Sequence, residues 1–348
     1  MKRKLLRLVM LFVTTVLTNS TFAQSSTLAT LSHEGTISTY YGVTALKEAY
    51  NAAVDGDVIT LASGSYLAID LTKAVSICGA GMGLGTAKNI EPTIISGDFD
   101  INIPTETTER FTIEGIYHNG KITYYNCQNV MFLKSRFGTI VDIGRDAYLG
   151  NATFVHCRIA SKIALSDNSD PSLINCIVNN AENHGTTDNM FEFTNCIMRG
   201  SAYKIRRSTL RNCIFWNDGG SNTYDDAPSR EFASTNSIYN TIGIADYSSI
   251  FKNIPNSTNT YIYKGSVSSL FKTYRGDDIA NLDSEEFELT DDAKVEYLGM
   301  DGTQVGIYGG NLPFDPTPSN PQITKCNVAA KSTADGKLSV DIEVKASE

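Results

Sequence analysis

Read for its apolar and polar positions, the chain repeats itself. Short runs of one kind return about every 20 residues: VSICG, TIISG, FTIEG, FLKS, FVHC, LINC, FTNC, LRNC and STNS. Each carries a small residue, in order Gly79, Gly97, Gly115, Ser135, Cys157, Cys176, Cys196, Cys213 and Ser237. An apolar residue stands three positions earlier (Phe132, Phe154, Leu173, Phe193, Leu210), and another follows (Ile177, Ile197, Ile214, Ile238). Immediately before the small residue come Asn175, Asn195, Asn212 and Asn236. Asn tolerates the left-handed backbone region better than most residues, so the pattern predicts a sharp bend between two short strands. Stacked bends would then place these amides where they hydrogen-bond to one another.

A fixed period of this length marks stacked units that share one core. No helical pattern lies inside the repeat, and the Leu-x-x-Leu-x-Leu signature of leucine-rich repeats is missing. The expectation is an all-β protein, a parallel β-helix over residues 57–312 with about 20 residues per coil. One helical pattern precedes it: Val43, Leu46, Tyr50 and Ala53 fall on one side, Lys47, Glu48 and Asn51 on the other. An uncovered first coil would expose core and strand edges, so this amphipathic helix, within residues 24–56, reads as the N-terminal cap. Past Gly310 a proline-rich connector is expected over 313–321. Residues 322–348 then read as two strands meeting at Asp335-Gly336, a short hairpin or a truncated immunoglobulin-like module.

Composition narrows the setting. Lys2, Arg3, Lys4 and Arg7, the apolar stretch from Leu5 to Leu17, and Thr21-Phe22-Ala23 read as a signal peptide over residues 1–23. The apolar run is too short to span a bilayer, and nothing else in the mature chain resembles a transmembrane segment. A secreted protein, periplasmic or at the cell surface, is expected. The chain holds 29 basic residues against 38 acidic, and the signal carries four of the basic ones. Nucleic acid, which needs a basic face, is not an expected partner. Four of the seven cysteines occupy a repeat position that is elsewhere Gly or Ser. That position asks for smallness, and the thiols read as buried small hydrophobes.

The run ALKEAYNAAVDGDVITLASGSYLAIDLTKAVSICGAGMG, Ala45 to Gly83, resembles the opening of secreted bacterial proteins of the pectate-lyase-like superfamily. The N-C-I repeats and DGTQVGIYGG, Asp301 to Gly310, are similar to an uncharacterised group within it. This resemblance implies a right-handed parallel β-helix behind a capping helix. It leaves activity open, because the superfamily holds lyases, hydrolases, esterases, adhesins and proteins with no known reaction.

Candidate chemistry comes from stacking arithmetic. Asp146, Asp167 and Asp188 are each about one coil apart, a spacing that would suit a calcium ion, with Arg207 one coil further on. No other cofactor is expected. Arg199, Lys204, Arg206 and Arg211 add a basic cluster able to meet acidic sugars, and Trp216 offers a stacking platform. His184 resembles the histidine of polygalacturonase-like hydrolases, although the remaining residues of that motif are missing. The leading expectation is a non-catalytic surface for a glycan or another surface partner. A polysaccharide lyase or glycoside hydrolase using Asp188, Arg207 and His184 stands as the alternative, and a structural or adhesin-like role as the third.

Overall fold

The structure is a computed structural model that describes residues 27–83, 91–104, 107–125, 129–143, 152–166, 169–184, 189–200, 202–203, 205, 207–216, 235–244, 254–276, 286–328, 331 and 335–345. It is a parallel β-solenoid of about seven turns with about 20 residues per turn. Among the described residues the first sheet holds 12 strands and the second 13.

The apolar stack read from the sequence is the spine of the core. Phe132, Phe154, Leu173, Phe193, Leu210 and Ile238 are register partners in consecutive strands of the first sheet. All are fully buried. The rings of Phe132 and Phe154 stack 4.6 Å apart and 8° from parallel. Ser135, Cys157, Cys176, Cys196 and Cys213 follow at the bend and are buried too.

Three members of the small-residue column belong elsewhere. Ser237 pairs with Thr209 inside the first sheet, so Thr241 takes the small position of that coil and Asn240, not Asn236, takes its bend. Gly97 follows strand Thr93–Ser96 of the second sheet. Gly115 occupies the bend itself, at φ 65°. Counting along the chain mistakes these positions because loop lengths vary, whereas register is set by the hydrogen bonds between coils.

The N-terminal cap contains more than the expected helix. Helix Ala45–Ala52 buries Ala45, Leu46, Ala49 and Tyr50. Ahead of it an antiparallel hairpin, Leu28–His33 with Thr36–Tyr41, pairs onto strand Val58–Leu61 and extends the first sheet beyond the first coil. On the second sheet, strands Arg136–Ile143, Arg158–Leu165 and Ile177–Asn183 shift register at a bulge. Beyond the bulge they run beside Lys121–Tyr125 and Phe99–Asn102, forming a third strip.

The C-terminal part departs from expectation. Among the described residues the paired coil strands end at Asn256–Thr258 and Tyr261–Tyr263, well before residue 312. Residues 298–319 instead run back over the bends, from the last coils toward the first. Asn240 Nδ2 donates to the Leu298 carbonyl at 2.9 Å, and Asn212 Oδ1 accepts from Met300 N at 2.9 Å. Asn175 Nδ2 donates to the carbonyls of Ile307 and Gly309, at 2.7 and 2.9 Å. His156 Nε2 meets Leu312 O at 3.0 Å, and Ser319 N donates to Glu114 Oε1 at 2.6 Å. The bends adopt the expected left-handed backbone, φ 49° at Asn175, 52° at Asn195 and 56° at Asn212. The amides of Asn175, Asn212 and Asn240, however, bind this strap and not one another.

The strap also explains the apolar residue after the small position. Ile177, Ile197, Ile214 and Ile242 point outward and form a second buried cluster with Tyr297, Val305, Ile307 and Phe314. Helices Val267–Leu270 and Asp291–Glu296, absent from the sequence expectation, lead into it, the second capped by Thr290 Oγ1 accepting from Ala293 N. The proline-rich stretch belongs to the same layer, since Phe314 is buried and Pro318 lies against Gly115. Strands Gln322–Val328 and Val340–Lys345 then pair as an antiparallel ribbon. Among the described residues no helix is long and apolar enough to cross a membrane.

Candidate functional site

Chemistry concentrates on the third strip. Lys121, Thr139, Lys162 and Asn180 are partners in consecutive coils, as are Thr123, Val141, Ala164 and Glu182. Neighbours on each side point inward: Ile122, Ile140 and Ile163 belong to the core. The second row therefore faces out, yet Thr123 and Ala164 are buried. Small side chains recessed beside lysines form the floor of a shallow trough running along the stack.

Toward one end of this trough, one strand before Ala202–Tyr203, Glu182 collects two partners. Lys162 Nζ lies 2.8 Å and His184 Nε2 2.7 Å from the same oxygen, Glu182 Oε2. Burial pushes the carboxyl up, but the hydrogen bonds from Lys162 and His184 outweigh it and hold it below the usual glutamate range. The carboxylate thus stays ionised, as an acceptor flanked by two donors. His184 was legible in the sequence. Lys162 and Glu182 carry no motif in the sequence, although they stand 20 residues apart, one coil.

The other predicted residues do not converge on this group. Arg199 is 2 % exposed, on the outer side of the second sheet, in register between Asn179 and Trp216. Trp216 ends strand Ile214–Trp216 opposite Ile244. Arg211 sits on the outer face of the first sheet, its guanidinium 5.9 Å from the Tyr239 ring centre. Arg207 occupies a turn at φ 52°, its N–H donating to Thr235 Oγ1. The three arginines lie on different faces. Asp146, Asp167, Asp188, Lys204 and Arg206 lie outside the described residues. Among those described, no group of three or more His, Cys, Asp or Glu side chains is placed to hold a metal ion.

Inside the corner behind the third strip lies a polar group that no repeat pattern marks. Asp142 is fully buried, its Oδ2 accepting from Tyr124 Oη at 2.6 Å. Next to it along the corner, Ser169 N donates to Asn189 Oδ1, and Asn189 Nδ2 to Asn183 Oδ1, each at 3.2 Å. Burial raises the Asp142 carboxyl to about 7.

The fold defines the class, a parallel β-solenoid. No family model, curated protein or solved structure matches the chain.

Proposed function

We propose that this chain is an exported β-solenoid that binds a glycan along its outer surface, with the trough of the third strip as its binding site, and does not cleave what it binds. The Lys162–Glu182–His184 group carries the reading. Two donors and an ionised acceptor at the end of a row of small residues match the hydroxyls of a sugar chain. Hydrolysis asks more: a general acid kept protonated near neutral pH and a second carboxylate across the scissile bond. Glu182 is held ionised, which suits it to recognition and not to proton donation. Export rests on the N-terminal signal pattern. A right-handed coil rests on the resemblance of Ala45 to Gly83 to the pectate-lyase-like superfamily.

A glycan array read together with reducing-end and unsaturated-product assays on acidic polysaccharides tests this. Binding without product is expected, weakened roughly tenfold or more in Lys162→Ala/His184→Ala. Product formation would replace binding with the lyase or hydrolase reading. Absence of both would leave the adhesin-like one.

A further inference from the structure

We propose that the outer face of the first sheet is a second docking surface, suited to a neutral polysaccharide of regular repeat. Three observations point there. First, the strands of this sheet pair without any register shift. Their outward residues therefore form straight rows at about 4.8 Å per strand. Second, from Thr36–Tyr41 through Ser172–Ile174, eight neighbouring strands, the outward positions carry one charged side chain. That residue, Glu114, is 5 % exposed and takes the Ser319 N–H. Charge returns only with Glu192 and Arg211 in the strands beyond.

Third, the rows combine hydroxyls with aliphatic surface. Thr30 and Thr60 begin one row that continues through Cys78 and Glu114 to Leu133, Val155 and Ile174, while Ser76, Thr112, Met131, Thr153 and Ser172 follow one another in the adjacent row. Tyr41, 68 % exposed, stands at the N-terminal end as a flat ring.

The occupant follows from charge and shape. The chain carries a net charge of −9, which repels acidic polymers in general. A run of strands roughly 34 Å long, at about 4.8 Å per step, whose single outward carboxylate is already buried and hydrogen-bonded, desolvates without leaving an ion unpaired. Hydroxyls that both donate and accept then meet the hydroxyls of a neutral sugar polymer, and the methyl groups beside them meet its C–H faces. A rigid ruled surface favours a rigid repeating ligand, because neither partner loses much conformational freedom on contact.

Co-sedimentation with microcrystalline cellulose, chitin and curdlan, beside pectate gel as the acidic arm, tests the proposal. The wild-type chain is expected to sediment with at least one neutral polymer. Thr153→Lys/Ser172→Lys, with folding checked by circular dichroism, should weaken this roughly tenfold or more. Lys162→Ala/His184→Ala should leave it unchanged. The proposal is overturned if none of the three neutral polymers retains the protein, or if the lysine pair has no effect. Loss of neutral binding in the trough variant would move that ligand to the trough and leave the earlier proposal standing. A concentration-dependent dimer abolished by the lysine pair would assign the face to a second copy instead.

Discussion

The backbone N–H of Cys157 points at the Sγ of Cys176, 3.4 Å away in the next coil. Cys176 N relates to Cys196 Sγ in the same way, and Cys196 N to Cys213 Sγ, each at 3.5 Å. Oxygen replaces sulfur at the ends of this ladder: Ile116 N donates to Ser135 Oγ, and Cys213 N to Thr241 Oγ1. Each thiol or hydroxyl also reaches back to a carbonyl two residues earlier, as Cys176 does to Ile174 and Ser135 to Leu133. Smallness, inferred from the Gly/Ser/Cys column, is thus half of the requirement. The position takes a small residue that both donates and accepts.

Cys176→Ser should therefore be nearly neutral, within about 1 kcal/mol, because the hydroxyl can make both contacts. Cys176→Ala leaves the Cys157 N–H without an acceptor in a dry core and should cost about 1–3 kcal/mol. Urea unfolding midpoints separate the two, and equal losses would show that only volume matters at this position.

The same burial governs reactivity. Burial raises the thiols of Cys176, Cys196 and Cys213, and it lifts Cys78 to about 11, aided by the neighbouring Glu114 carboxylate. In a Cys127→Ser/Cys326→Ser background, the folded protein should show no fast-reacting thiol toward an aromatic disulfide reagent. All five remaining thiols should react once the protein is denatured, and a rapid native-state reaction would contradict the buried ladder.

Asn175 joins bend and strap through one side chain. Asn175→Ala removes two hydrogen bonds to Ile307 and Gly309 and places alanine at φ 49°, so a loss of about 2–4 kcal/mol is expected. Asn175→Gly keeps the backbone free to bend and should lose less. Limited proteolysis provides a second readout: cleavage near residue 307 should accelerate in both variants if the strap is held as described.

Asp142 makes stability depend on pH. Its folded carboxyl titrates at about 7, against 3.8 for an ordinary aspartate. Between these values the folded chain keeps a proton that the unfolded chain has released, so stability falls as pH rises toward 7. Above that range the carboxylate is ionised in both states and the loss is complete. Asp142→Asn should flatten the slope between about pH 4 and about pH 7 and raise the midpoint at the upper end. A wild-type slope unchanged by the substitution would refute the assignment.

The parts of the site differ in how far the sequence reveals them. His184 lies two residues after Glu182, just past the end of strand Ile177–Asn183, and Lys162 stands one coil earlier, so the group is a local feature repeated by the period. Arg199, Arg207 and Arg211, the described arginines among the basic residues of 199–211, are equally local in the sequence. The chain turns twice within that span, and each side chain leaves on a different face. Close spacing gathers residues only when no bend intervenes.

What the sequence alone determined is the repeating unit: an apolar side chain inward, a left-handed bend, a small residue after it, and a period near 20. These follow from backbone sterics and from the fit of one coil onto the next, both readable within a few residues. Only the tertiary structure decided where the Asn amides go, what covers the isoleucine column, and which outer face carries little charge. Asn175 meets Ile307 from 132 residues away. No periodicity encodes such a contact, because an outward apolar residue looks the same in sequence whichever segment comes to cover it.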